Sequence, residues 1–308
     1  MRANNRTINS WLAALGACVL TTVYPVGAEV LRFDWPLPAA LTVNAALAKK
    51  GNASTAQYRV ALSTSADGEL ALAFRDFEFL TLNGVDARDP KVLARLGPLA
   101  ALTGSLPTMR LSSSGEYLGT AGLEQMMKGF LGVLPEGLDD AQRERLDDYF
   151  RSENVQAMMQ QKSGEVWNTW VGAWNGLDLA AGQNLSGTVP VSVLNRTLEQ
   201  SVLIEHLGLA PETANCPSCV RLRLTTIVEG PEVLHLMSGM MRNLGGEDGQ
   251  LGVAKFVSAR SMSVTEVVTN PSNLMPYYAI SNTEVMLRDA NDENHSQHDR
   301  KEYWFNWE

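Results

Sequence analysis

The short run Cys216-Pro217-Ser218-Cys219 raises the first chemical question in this chain of 308 residues. A C-x-x-C pair can be a redox centre, half of a zinc site, or a clip across a tight turn. A redox pair needs a helix N-terminus behind it, whose dipole and free amides hold the thiolate. Here Cys219 is followed by Val220-Arg221-Leu222-Arg223-Leu224-Thr225, which alternates apolar and polar residues and predicts a strand. Pro217 suits the second position of a β-turn, whose end Cα atoms lie within ~7 Å. A disulfide needs its Cα atoms ~4.4–6.8 Å apart. The pattern therefore favours a structural disulfide, Cys216 to Cys219, over redox or metal chemistry.

Two other clusters could bind a metal. His295 and His298 stand at i, i+3 among Asp289, Asp292, Glu293 and Asp299. Residues 289–302 contain no apolar side chain except Ala290, so the stretch reads as a solvated, mobile hairpin loop. Residues 235–241 offer His235, Met237, Met240 and Met241, soft ligands suited to Cu(I). On a helix of ~3.6 residues per turn, however, His235 and Met237 point in nearly opposite directions. The methionines read as flexible core filler. No metal and no cofactor are expected. The chain has no G-x-S-x-G elbow, H-E-x-x-H pair, phosphate loop or dinucleotide fingerprint. Ser112, Ser113 and Ser114 have no base nearby in sequence, so no catalytic residue is assigned.

The remaining chemical feature is apolar. In the stretch 163–177, Trp167, Trp170, Val171 and Trp174 fall on one stripe at helical spacing. Such a stripe can line a cavity for an acyl chain, or plug the concave face of a sheet as core. Taken as a cavity, the candidate ligand-binding residues are Trp167, Trp170 and Trp174, with Met126 and Phe130 from an earlier helical face.

The elements that position these residues follow from hydrophobic periodicity. Residues 40–48, 57–64 and 69–82 alternate with period two, and residues 109–120 read as a hairpin turning at Ser113-Ser114-Gly115. Leu123, Met126, Met127, Phe130, Leu131 and Leu134 recur at helical spacing up to Pro135. A charged segment follows with Leu146, Tyr149 and Phe150 on one face, and Ser152 caps a continuation carrying Val155, Met158 and Met159. Strands return near 186–194, 197–208, 219–229, 252–269, 276–288 and 301–308, with one more helix at 231–244. Strands, then helices, then strands imply an α+β fold: a large curved antiparallel sheet, half-barrel-like, packed around amphipathic helices. The expectation is a single domain, 29–308, with a helical insertion at about 121–177.

The start of the chain bears on the compartment. Arg2 and Arg6 precede a thirteen-residue apolar run, Trp11 to Val23, too short for a membrane span of ~20 residues. Pro25 and the small residues Gly27 and Ala28 follow, as in a secretory signal peptide. Cleavage after Ala28 would give a periplasmic or secreted chain. Lipidation at Cys18 is the competing reading, but the apolar run continues past that residue. An exported chain meets an oxidising milieu, consistent with a disulfide. Losing Arg2 and Arg6 would take the formal net charge from −9 to −11. With no basic patch, nucleic acid is not an expected partner. No later stretch is apolar for long enough to span a membrane as a helix. The terminal Tyr303, Phe305 and Trp307 suit an outer-membrane barrel strand, but the helical block at 121–177 argues against a barrel.

This plan resembles the LolA/LolB-like exported carriers, in which a curved antiparallel sheet wraps around helices. The resemblance is one of architecture and transfers no functional residue. It implies a non-enzymatic binding protein for an apolar or amphipathic ligand such as a lipid. The alternative is an assembly factor that binds another cell-envelope protein through an exposed aromatic patch. An exported hydrolase whose catalytic residues lie far apart in sequence is the third reading.

Overall fold

The structure, a computed structural model, describes residues 30–92, 106–132, 140–193, 196–210, 215–231, 233–234 and 256–308. The expected signal segment, Cys18, the methionine-rich run 235–241 and most of the expected helix at 231–244 lie outside the described residues.

One antiparallel sheet of twelve strands organises the chain. The first group comprises β1 (Ala39–Lys49), β2 (Asn52–Thr64), β3 (Leu70–Leu82), the two-residue β4 (Val85–Asp86), β5 (Thr108–Leu111) and β6 (Tyr117–Ala121). The second comprises β7 (Asn184–Val193), β8 (Arg196–Leu209), β9 (Val220–Glu229), β10 (Phe256–Thr269), β11 (Pro276–Asp289) and β12 (Asn294–Trp307). Their order across the sheet is β6-β5-β3-β2-β1-β12-β11-β10-β9-β8-β7, with β4 beside β3. Two meanders are thus joined where the first long strand pairs with the last, and the sheet stays open, with β6 and β7 at its edges. This is the expected α+β architecture with a curved antiparallel sheet.

Alternation sets the faces. On β1, Leu41 and Val43 point inward and are fully buried; they lie opposite Val60 and Tyr58 of β2, and opposite Trp307 and Phe305 of β12. A one-residue slip would turn the whole apolar set outward, so burial fixes the register. The outer face is charged where the inner face is oily. Glu205, Arg223 and Glu266 sit side by side on β8, β9 and β10, with Arg223 3.8 Å from Glu205 and 2.7 Å from Glu266.

Between β6 and β7 the described residues form three helices: α1 (Leu123–Gly132), α2 (Asp140–Arg151) and α3 (Glu153–Trp167). The sequence predicts one helical stripe through the tryptophans, and here the structure differs. Helix α3 ends at Trp167 and passes into a π-helical turn, Asn168–Gly172. The wider turn adds a residue, yet Trp167, Trp170 and Trp174 all stay fully buried. Together with Leu31 and Trp35 they form a plug that fills one end of the concave face.

A second difference lies at 289–302. The stretch read as a loop is mostly strand. Only the tight turn at 290–293 separates β11 from β12, which starts at Asn294. Its residues are hydrophilic because both faces are largely wet there, while backbone pairing to β1 and β11 holds the strand.

Helix α3 also covers the sheet edge. Gln160 of α3 presents its amide to β6: the Thr120 N–H donates to Gln160 Oε1 at 2.7 Å, and Gln160 Nε2 donates to the Thr120 carbonyl at 2.9 Å. The side chain replaces the missing neighbouring strand, which protects an otherwise open edge.

Candidate functional site

A cavity of about 410 Å³ lies between the concave face and the helices, beside the tryptophan plug. That volume falls in the range of small-molecule sites, roughly 300–1,000 Å³. Its sheet wall is built from Tyr58, Phe74, Phe77, Met109 and Tyr303. Its helical wall carries Met126, Met158, Met159 and Val166, with Lys162 and Ser163 as the polar exceptions.

Local backbone geometry explains the sheet wall. Phe74 and Phe77 are three residues apart, so strict alternation would set them on opposite faces. A β-bulge intervenes: Arg59 pairs with Arg75 and Gln57 with Glu78, one extra residue on β3, and Asp76 takes a positive φ of 53°. The bulge brings Phe74 and Phe77 to the same side. Tyr58 then stacks on Phe77 with ring centroids 5.8 Å apart and leans on Phe74 at 5.9 Å.

The two tyrosines are the ionisable groups of the sheet wall. Burial pushes the Tyr303 phenol up to about 12. Burial raises Tyr58 well above its ordinary value as well, and the neighbouring Tyr303 adds to this. Both are neutral at ordinary pH and can donate a hydrogen bond within an apolar wall. Lys162 is exposed and engaged with Glu165 at 2.8 Å. The methionines suit a wall that must fit varied shapes, since their unbranched thioether chains repack easily.

Among the residues expected at a binding site, Met126 lines this cavity. Phe130 lies on α1, but its side chain is outside the described residues. The three tryptophans stand behind the wall, not on it. Trp167 Nε1 donates to the Gly115 carbonyl at 2.8 Å, and Trp174 Nε1 to the Thr169 carbonyl at 3.3 Å. Trp170 packs edge-on against Tyr303 at 5.5 Å and Phe305 at 5.1 Å, and its Nε1 has no hydrogen-bond partner. Trp170 supports the wall through Tyr303 and Phe74. Sequence reasoning missed Tyr58, Phe74, Phe77 and Tyr303, because strand alternation alone marks them as ordinary core. Only the pairing register and the place where the helices stop covering the sheet set them apart.

The other chemical clusters have local roles. Cys216 and Cys219 form a disulfide with a Cα separation of 5.3 Å, directly before β9. This is the clip expected from the turn, with a strand and not a helix behind it. Asp289, Glu293 and His295 bring their ligand atoms within 4.8 Å of one another. Asp289 Oδ1 accepts the backbone N–H of Asn291 and of Glu293, so the group closes the β11–β12 turn. Of the described histidines, His206 accepts the Gly208 N–H, while His295 and His298 approach Asp289 and Glu284 at 3.5 Å. Among the described residues no helix is long and apolar enough to cross a membrane.

Comparison with known proteins adds little. No family model matches the chain, and no curated protein matches it. Among solved structures the chain is similar to one of lipovitellin, described as showing lipid–protein interactions, with a TM-score of 0.42 and 8% sequence identity. The match covers 89% of this chain and 25% of the lipovitellin chain, so this chain spans about a quarter of that protein. At that TM-score the likeness carries no argument about function.

Proposed function

We propose that this chain is an exported, non-enzymatic binding protein whose ligand is apolar or amphipathic and is held in the cavity between the sheet and helices α1 and α3. The observation that carries the reading is the cavity itself. It offers about 410 Å³ behind a largely apolar wall rich in aromatic and thioether side chains, in a protein that fills the neighbouring space with a dense tryptophan plug. A fold that packs three indoles to zero exposure leaves such a space beside them at a cost of lost contacts, unless a ligand supplies those contacts. The disulfide suits an oxidising compartment, in keeping with export.

Native mass spectrometry of gently purified protein tests this. The expected spectrum shows the polypeptide mass plus a discrete apolar adduct that organic extraction removes. A bare polypeptide that also refuses added fatty acid or monoglyceride would overturn the reading.

One observation speaks for the second reading, an assembly factor that binds an envelope protein. Trp304 on the outer face of β12 is 41% exposed and lies beside Tyr278. The other aromatics of that strand, Tyr303, Phe305 and Trp307, face inward, so the outer aromatic surface is small. The cavity between the sheet and the helices is the stronger feature.

A further inference from the structure

The concave floor changes character along its strands, and the changes align. On β12 the inward residues Phe305 and Tyr303 give way to Lys301 and then Asp299. Register sets Tyr303 beside Ala279 and Val267, Lys301 beside Ser281 and Thr265, and Asp299 beside Thr283 and Ser263. The row at the cavity is thus apolar, and the next two rows are hydroxylic and charged. Each step is two residues, ~6.6 Å along a strand.

Two observations show that the polar rows form an open continuation of the cavity. Leu47 of β1, opposite Lys301 and inward by alternation from Leu41 and Val43, is 38% exposed. The helical lid therefore no longer covers the floor there. Lys301 is also exposed, and it acts on Asp299 only as a neighbouring charge. Asp299 is engaged by Lys49 at 2.8 Å, and among the described residues Lys301 makes no ion pair. The hydroxyls are pre-aligned, with Thr265 Oγ1 donating to Ser281 Oγ at 3.2 Å and Ser263 and Thr283 paired at 3.1 Å.

We infer that the ligand is a single-chain amphiphile with an anionic, oxygen-rich head, its chain against Tyr58, Phe74 and Tyr303 and its head on a platform formed by Lys301 and Ser281, whose hydroxyl the buried Thr265 orients from behind. This rests on the binding reading above and names its ligand class. The volume limits the chain: about 410 Å³ lies near the lower end of small-molecule sites, the size for one acyl chain and not two. An oily groove alone would not discriminate heads. A cation beside a free hydroxyl donor prefers carboxylate or phosphate oxygens. A fatty acid and a lysophospholipid share this chemistry.

The test is a fluorescence-displacement titration with three probes: dodecanoate, a dodecanoyl lysophosphatidylglycerol, and 1-monododecanoylglycerol as the uncharged control. Each is measured on the wild-type protein, Lys301→Gln and Lys301→Arg. Lys301 is exposed, so neither variant threatens the fold. The expected result is that Lys301→Gln weakens an anionic probe by ~5–10-fold while the monoglyceride changes by less than ~2-fold, and that Lys301→Arg restores the anionic affinity. Which anionic probe binds tighter identifies the source of the head. If Lys301→Gln leaves both anionic probes unchanged, or weakens all three alike, the platform is wrong although the cavity still binds. If no probe binds the wild type, the platform and the binding reading fall together.

Discussion

Two identical substitutions three residues apart give a sharp test of how the tryptophan plug is built. Trp167→Phe and Trp170→Phe each replace a fully buried indole by a phenyl ring, and the loss of ring volume costs each a similar ~1–2 kcal/mol. Their hydrogen bonding differs. Trp167 Nε1 donates to the Gly115 carbonyl at 2.8 Å, and Gly115 is itself buried. Removing that donor strands a buried acceptor, at ~1–3 kcal/mol. Trp170 Nε1 has no partner, so its removal relieves a buried unpaired donor, a gain of ~1–3 kcal/mol that offsets the lost volume. The common term cancels, and Trp167→Phe should be the less stable variant by about 2–6 kcal/mol. Urea denaturation followed by circular dichroism measures this, since a shift in midpoint at constant slope reports stability directly. Equal midpoints, or a lower midpoint for Trp170→Phe, would refute this account of the plug.

Three further outcomes follow from the same structure. Gly115 has φ of +82°, and an added Cβ would meet the Phe33 ring at 2.5 Å, so Gly115→Ala should cost at least ~2 kcal/mol in thermal or urea unfolding. Gln160→Ala strands both the N–H and the carbonyl of Thr120 at the β6 edge and should cost ~2–4 kcal/mol, with faster hydrogen exchange confined first to β5 and β6. Tyr303 titrates at about 12 in the folded protein and near ~10 once unfolded, so its contribution is intact below pH ~10 and is lost as pH rises towards 12. Urea midpoints taken at pH 9 and 11 should therefore fall with pH, and fall less in Tyr303→Phe.

The alternation of β1, β2 and β3 and the helical spacing of α1 were legible in the sequence because one face of each element is buried and the other is wet. The first half of β12 was not. Residues 294–300 carry no apolar residue, and what holds them is backbone pairing to β11, joined by β1 from Asp299 onward, which leaves no trace in hydropathy. The tryptophan stripe was visible, but its role depended on what lay in front of it. Three strands distant in sequence supply Tyr58, Phe74 and Tyr303 as the surface between plug and cavity. The β-bulge at Asp76 that aligns Phe74 with Phe77 has no glycine or asparagine to announce it. The disulfide could be read from sequence because its spacing and the following strand are local features.

The most direct test of the central claim fills the cavity. Met126→Trp places a larger ring into the space between α1 and the Tyr58–Phe74 wall, away from the buried plug. Calorimetric titration of dodecanoate into the wild type at two temperatures should give saturable one-to-one binding with a negative heat-capacity change, the mark of apolar surface leaving water. The Met126→Trp variant should lose that binding by ~10-fold or more while keeping its circular dichroism spectrum. Undiminished binding in the filled variant, or no binding in either protein, would contradict the claim that this space is a ligand site.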